Sequence, residues 1–243
     1  MTQNRGMEQE ASRRNRRKGL FEARPSFLPA VWLIVLTVAV ALAALAATND
    51  RLPGDVAILR WMQDLPLPGM AVSRLVRALT GTEVVLATGA LVVALLWLFH
   101  RRREAVVLAC GLALLPLLQH GLKELVDRPR PPDDVADLRA GFSSPSFPAG
   151  HVMSPTVLYG FLAYLSLRLA TPRRFALALS AACLVVPALS GAVNVYVGVH
   201  WPSYVEGGYL WALVLLLPLF LMVDQARKQV AARKRTTGNK PSL

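Results

Sequence analysis

The sequence is poor in cysteine and in acid. Only 2 cysteines stand among 243 residues. Both, Cys110 and Cys183, fall inside long apolar blocks, so neither a disulfide framework nor a zinc site is supported. Asp and Glu number 15 against 27 Lys and Arg, a formal net charge of +12. No internal repeat is present. Nor do apolar and polar residues alternate in the ten-residue runs that would build a membrane β-barrel. What the chain has in excess is apolar side chains, at 54% of its residues.

These side chains gather in six blocks: Leu28–Ala47, Glu83–Phe99, Ala105–Leu122, Val152–Ala170, Phe175–Val195 and Val205–Val223. Each is at or near the ~20 residues that a helix needs to cross bilayer hydrocarbon. A continuous apolar segment can satisfy its backbone in lipid only as a helix. The expected fold is therefore all-α, a polytopic bundle of six transmembrane helices. The first block is expected to be an uncleaved anchor rather than a secretory signal, because it has full span length behind a long charged tail. The implied organisation is a basic tail over 1–27, a membrane domain over 28–223 and a second basic tail over 224–243.

The basic excess is unevenly placed. With six spans, one side of the membrane collects 19 of the 27 Lys and Arg, in the two tails, Arg101–Arg103, Arg168, Arg173 and Arg174. The positive-inside rule puts that side, with both termini, in the cytoplasm. The membrane would be the plasma membrane, in a bacterium the inner one. The basic tails then read as topology signals and contacts for anionic lipid, and no nucleic-acid partner is expected. The spans themselves carry almost no charge, which disfavours a transport pathway.

The uncommon polar residues converge on the opposite, outer side. In "MAVSRLVRALT" Val72, Leu75, Val76 and Leu79 share one helical face and Arg74 and Arg77 another, a pattern that suits a short helix on the membrane surface. In "KELVDRPRPP" Lys123, Arg128 and Arg130 stand among prolines, which fix the backbone. A Lys point charge with an Arg fork suits phosphate; snorkelling toward headgroups is the other reading. In "SFPAGHVMSP" His151 follows Pro148 and Gly150 at the start of a span. Free N–H groups there would meet an anion, and His151 could donate a proton to a leaving oxygen; a structural histidine at the membrane interface is the other reading. In "VGVHWPSYVEGG" His200 precedes the last span. An imidazole can attack phosphorus if one nitrogen is free and the other is held.

Taken in this order, the three segments resemble the type-2 phosphatidic acid phosphatase superfamily, which includes glucose-6-phosphatase and the vanadium haloperoxidases. Its pattern is K-x6-R-P, then P-S-G-H, then S-R-x5-H-x3-D. The first part matches as Lys123, Arg130 and Pro131. The second reads Pro148, Ala149, Gly150, His151, with alanine for serine. In the third the histidine is His200, but Val193 and Asn194 replace Ser-Arg, and Tyr204 replaces the Asp. The resemblance implies a six-helix phosphatase-like bundle. In it Lys123, Arg130 and the Gly150 N–H bind phosphate, His151 is the general acid and His200 the nucleophile, with no metal and no cofactor. Ala149 and Asn194 each remove a donor. Tyr204 leaves the orienting role to its own phenolic oxygen or to Glu206. Two helical positions turn the side chain by about 200°, so Glu206 would reach only through an irregular start to the last span.

Two functions follow from the resemblance. One is a metal-independent membrane phosphatase that hydrolyses a lipid phosphate or polyprenyl diphosphate through a phosphohistidine. The other is a catalytically degenerate member that binds phospholipid headgroups or an anionic partner.

Overall fold

The computed structural model describes residues 27–49, 51–66, 69–141, 146–170 and 172–237, with side chains to Gln225 in the last helix. The chain divides into residues 1–31 and 32–243. Of the first unit only 27–31 are described, a bend at Phe27 and the opening of a helix. Apart from Phe27, the basic tail expected over 1–27 lies outside the described residues, as does 238–243.

Eight helices and no strand occur among the described residues: α1 (Leu28–Thr48), α2 (Asp55–Asp64), α3 (Gly69–Thr80), α4 (Thr82–Leu98), α5 (Arg102–Val126), α6 (Gly150–Leu169), α7 (Arg173–Tyr196) and α8 (Pro202–Thr237). Five of them, α1, α5, α6, α7 and the Pro202–Gln225 part of α8, are long and apolar enough to cross a bilayer. Helix α4 has 17 residues. At 1.5 Å per residue that is roughly 26 Å, short of the ~30 Å of hydrocarbon. It qualifies as a sixth span only together with α3, from which it is bent by 54°. The protein is thus an all-helical, multi-pass membrane protein. Helix α8 runs past Val223 to Thr237, so the first part of the basic segment after 223 is helical.

Helix α6 is the centre of the bundle and packs against α3, α4, α5, α7 and α8. Its Met153, Val157, Leu158 and Phe161 are buried. Large apolar side chains on α1, α4, α5 and α7, among them Leu33, Leu91, Leu117 and Leu177, are exposed, as lipid-facing residues are. At one end the arrangement brings together the α3–α4 bend, the end of α5, the start of α6 and the α7–α8 turn. Arg101–Arg103, Arg168, Arg173 and Arg174 belong to the far ends of the same helices.

Two features of the Asn49–Thr82 segment differ from the sequence expectation. Helix α2 is additional; it packs on α7 and α8 with Leu59 buried and Trp61 exposed. Helix α3 is amphipathic as expected, with Leu75 and Leu79 exposed, but its arginines part company. Arg74 stays exposed, whereas Arg77 turns inward. The reason is that α3 also packs on α7, so its polar edge meets protein rather than water.

Candidate active site

A cavity of about 420 Å³ opens at that end. Lys123, Arg130, Gly150, His151 and His200 line it, joined by Arg77 and by Gly81, Thr82, Glu83 and their neighbours at the α3–α4 bend. Lys123 lies in the last turn of α5. Asp127 ends that helix in the left-handed region, φ 37°, and its N–H returns to the Lys123 carbonyl at 2.9 Å. The following prolines forbid further helix. The chain folds back, and Arg130 enters the same cavity.

His200 is 2% exposed, and both ring nitrogens are engaged. Nη1 of Arg130 lies 3.3 Å from Nε2, and Ser146 Oγ lies 3.0 Å from Nδ1. A guanidinium can only donate, so Nε2 accepts and neutral His200 carries its proton on Nδ1, directed at Ser146. The same Arg130 nitrogen donates to the Val199 carbonyl at 2.7 Å. Burial, and then the charge of Arg130, hold the His200 pKa well below its ordinary value. Burial and the nearby Arg77 bring Arg130 down to about 10, so it remains a cation at neutral pH.

The turn that carries His200 depends on Gly198, at φ 78°. A Cβ there would stand 2.6 Å from the Asp137 carbonyl oxygen, so only glycine fits. From α2, Gln63 Nε2 donates to Asp137 O at 2.7 Å and to Tyr196 O at 3.2 Å, tying both loops together. Asp55 accepts from Ser203 N at 3.0 Å and Ser203 Oγ at 2.8 Å, fixing the start of α8.

His151 is the second residue of α6, and Gly150 the first. Their backbone N–H groups, in the helix's opening turn, lack helical carbonyl partners. Ala149 caps the helix in an extended conformation without a side-chain bond. The His151 carbonyl accepts from Ser190 Oγ. Its Nε2 lies 3.9 Å from the place a Cβ on Gly81 would take, so the bend passes close to the imidazole.

Of the four positions that depart from the family pattern, Ala149, Asn194 and Tyr204 are fully buried and Val193 is half-buried. Ala149 N–H donates to the Tyr204 carbonyl at 3.1 Å. Asn194 anchors itself by donating to the Ser190 carbonyl at 2.8 Å, and its Oδ1 accepts from Arg77 Nη1. The Tyr204 ring meets Phe147 edge-on at 5.6 Å and lies under Arg128 at 5.5 Å. Its hydroxyl donates to the Pro129 carbonyl at 3.3 Å. Glu206 is exposed and does not line the cavity. Helix α8 begins at Pro202, so the irregular start that would have let Glu206 reach inward does not occur. Gly207, one residue on, faces the Phe147 ring instead; a Cβ there would lie 2.5 Å from it.

Neither candidate orienting residue therefore supplies the contact at His200 Nδ1; Ser146 does. The sequence does not single out Ser146, and its periodicity places Arg77 on a membrane surface. Ser146 stands in "SFPAGH", but a serine two residues before a proline carries no signal of its own. The inward turn of Arg77 has no local signal either.

No curated protein matches the chain. A transmembrane PAP2-type phosphatidylglycerolphosphate phosphatase from Bacillus subtilis matches it in structure, with a TM-score of 0.69 and 26% identity, over 81% of this chain and 96% of that one. The model of the PAP2 superfamily matches residues 104–228, a segment that runs from α5 into α8 and includes Lys123, Arg130, His151 and His200. The chain belongs to the PAP2 superfamily.

Proposed function

We propose that this protein is an integral-membrane lipid phosphatase that works through a phosphohistidine on His200, at the outer face of the membrane. The observation that carries the reading is the arrangement at His200. The ring is buried and neutral, with Nδ1 on Ser146 and Nε2 toward a cavity lined by Lys123, Arg130 and a second imidazole. Lys123, Arg130 and the Gly150 N–H neutralise the phosphoryl oxygens. When the phosphate enters, Arg130 turns from Nε2 to the phosphoryl oxygens, and their negative charge favours a proton on His151. Nε2 then forms a bond to phosphorus as the bond from phosphorus to the lipid oxygen breaks, and His151 gives that proton to the departing oxygen. A water molecule then loses a proton to His151 and attacks phosphorus. The N–P bond breaks, and inorganic phosphate leaves.

The solved relative acts on phosphatidylglycerolphosphate, which makes that lipid the first substrate to test, beside phosphatidic acid and a polyprenyl diphosphate. Purified protein in chelator should release phosphate from at least one of them. Brief exposure to substrate labelled in the phosphate should leave an acid-labile label on the protein, absent from His200→Ala. Release without such a label would reject the phosphohistidine. The binding-only reading draws on the lack of a carboxylate at His200, since Glu206 is exposed and the Tyr204 hydroxyl is on Pro129. Saturable binding of every lipid without release would favour it.

The outward orientation rests on the basic residues gathered at the helix ends remote from the cavity, which the positive-inside rule places in the cytoplasm. Asp134 is exposed on the loop between α5 and α6. A cysteine placed there should react with an impermeant reagent in intact cells, and reaction only after lysis would invert the topology.

A further inference from the structure

Helix α3 carries two arginines one helical turn apart, and only one is spent on the surface. Arg74 is exposed. Arg77 is half-buried, lines the cavity with Lys123, Arg130 and the two histidines, and donates to Asn194 Oδ1. Among the described residues Asn194 is its one hydrogen-bond partner, and no carboxylate pairs with it. This is an unusual way to hold a half-buried guanidinium. A structural arginine in such a place is ordinarily neutralised by a carboxylate. Here the group that fixes it is an amide, itself 0% exposed and anchored on the Ser190 carbonyl. An amide oxygen sets the position of the fork and leaves its charge uncompensated. A planar cation held in that manner, beside a second guanidinium and an ammonium, is prepared for an anion with several oxygens.

We infer that Arg77 is a phosphate-binding residue of this site: its guanidinium, positioned by Asn194, grips the phosphoryl oxygens of the substrate. The assignment rests on the phosphatase reading for the identity of the substrate but not for the anion site itself. Arg77 lies outside the segment that the family model matches, so the guanidinium missing at position 194 is supplied from another helix. Asn194 has become its holder.

The full-length protein in detergent micelles supports two independent readouts: calorimetric binding of inorganic phosphate, and phosphate release from phosphatidylglycerolphosphate and phosphatidic acid. Arg77→Gln should weaken phosphate binding and lower kcat/KM by roughly 10- to 100-fold, as expected for loss of charge-assisted hydrogen bonds. Arg74→Gln removes the same charge from the same helix and should change both by less than about twofold. Asn194→Ala should fall between them. In the double variant Arg77→Gln with Asn194→Arg, the second guanidinium grows from the residue that held the first and should recover much of the lost binding. Arg77→Lys, which keeps the charge but not the fork, serves if Arg77→Gln does not fold, and should still lose several-fold (roughly 3- to 10-fold). Equal phosphate affinity in Arg77→Gln and Arg74→Gln would overturn the assignment, whatever the lipids do. Phosphate binding that follows these ratios in a protein that releases nothing would uphold Arg77 and reject the phosphatase. A wild type that neither binds nor releases phosphate would end both.

Discussion

Two stretches of the chain build one cavity by different means. From Glu104 to Lys228 runs the segment that matches the family, and it brings Lys123, Arg130, His151 and His200. The stretch from Trp32 to Arg103 carries no motif. It brings Arg77 and Gly81 to the cavity wall, and Asp55 and Gln63 to the turns behind it. On the proposed mechanism the later stretch supplies groups whose chemistry cannot be exchanged, because attack on phosphorus and proton transfer each need a particular functional group. Arg77 apart, the earlier one supplies placement, which needs only a hydrogen bond or a short approach at the right point. Residues of many kinds on many elements can give that, so it leaves no motif.

The sharpest division between the two stretches is at His200. His200→Ala should remove all measurable phosphate release, a loss of at least about 10³-fold, because the other imidazole of the cavity, His151, is assigned the proton transfer and not the attack. Equal release by the variant and the wild type would move the nucleophile elsewhere. The earlier stretch should show itself in stability. Asp55→Ala leaves Ser203 without the carboxylate that accepts its N–H and hydroxyl, and should lower unfolding stability by about 2–3 kcal/mol. An unchanged unfolding midpoint would mean that the front of the chain is not needed to hold the α7–α8 turn.

Smaller effects refine the comparison inside the matched segment. Ser146→Ala should lower kcat roughly tenfold with little change in KM, since it releases Nδ1 of His200 without touching the phosphate cradle. Glu206→Gln should stay within about twofold of the wild type, because an exposed charge away from the cavity has little hold on it. The opposite ranking would return the orienting role to the acid. The least of the expected effects is on pH dependence. Folded His200 titrates well below its ordinary 6.5, so as pH falls the unfolded chain takes up this proton first. The stability associated with this group is therefore complete above about pH 6.5 and is lost below it, toward the folded value. Unfolding midpoints compared at about pH 7.5 and about pH 5.5 should fall in the wild type and fall less in His200→Ala. Equal losses would place the titrating group elsewhere.

Much of this molecule is legible in its amino-acid order. Apolar blocks of span length leave the backbone no choice but helix, and five of the six expected spans stand as single helices. The sixth is a bent pair, because Thr82–Leu98 is too short by itself and periodicity does not register a change of axis at one glycine. The residues around Lys123, Arg130, His151 and His200 are legible because their types and order match the pattern of the superfamily, whose model covers all four. The rest depends on tertiary geometry. The amphipathic pattern of α3 separates Arg77 from Leu75 and Leu79 but cannot say whether its polar edge meets water or a cavity; the contact with α7 decides that. Ser146 becomes the partner of His200 through the folding back of a loop 54 residues away in sequence. Glu206 is excluded by nothing more than the regularity of α8 from Pro202 onward.

The hydrogen bond between Arg77 and Asn194 also bears on how such a site can change over generations. An arginine at both positions would press two like charges into the reach of one buried amide's worth of space, and an arginine at neither would leave the cavity a cation short. A lineage that exchanges one arrangement for the other must cross one of those two states, each poorer than either end. With Arg77 assigned to the phosphate, positions 77 and 194 are therefore expected to vary together. A chain judged at position 194 alone is scored as damaged, whereas the same chain judged at 77 and 194 together has a guanidinium at the cavity, rooted on another helix.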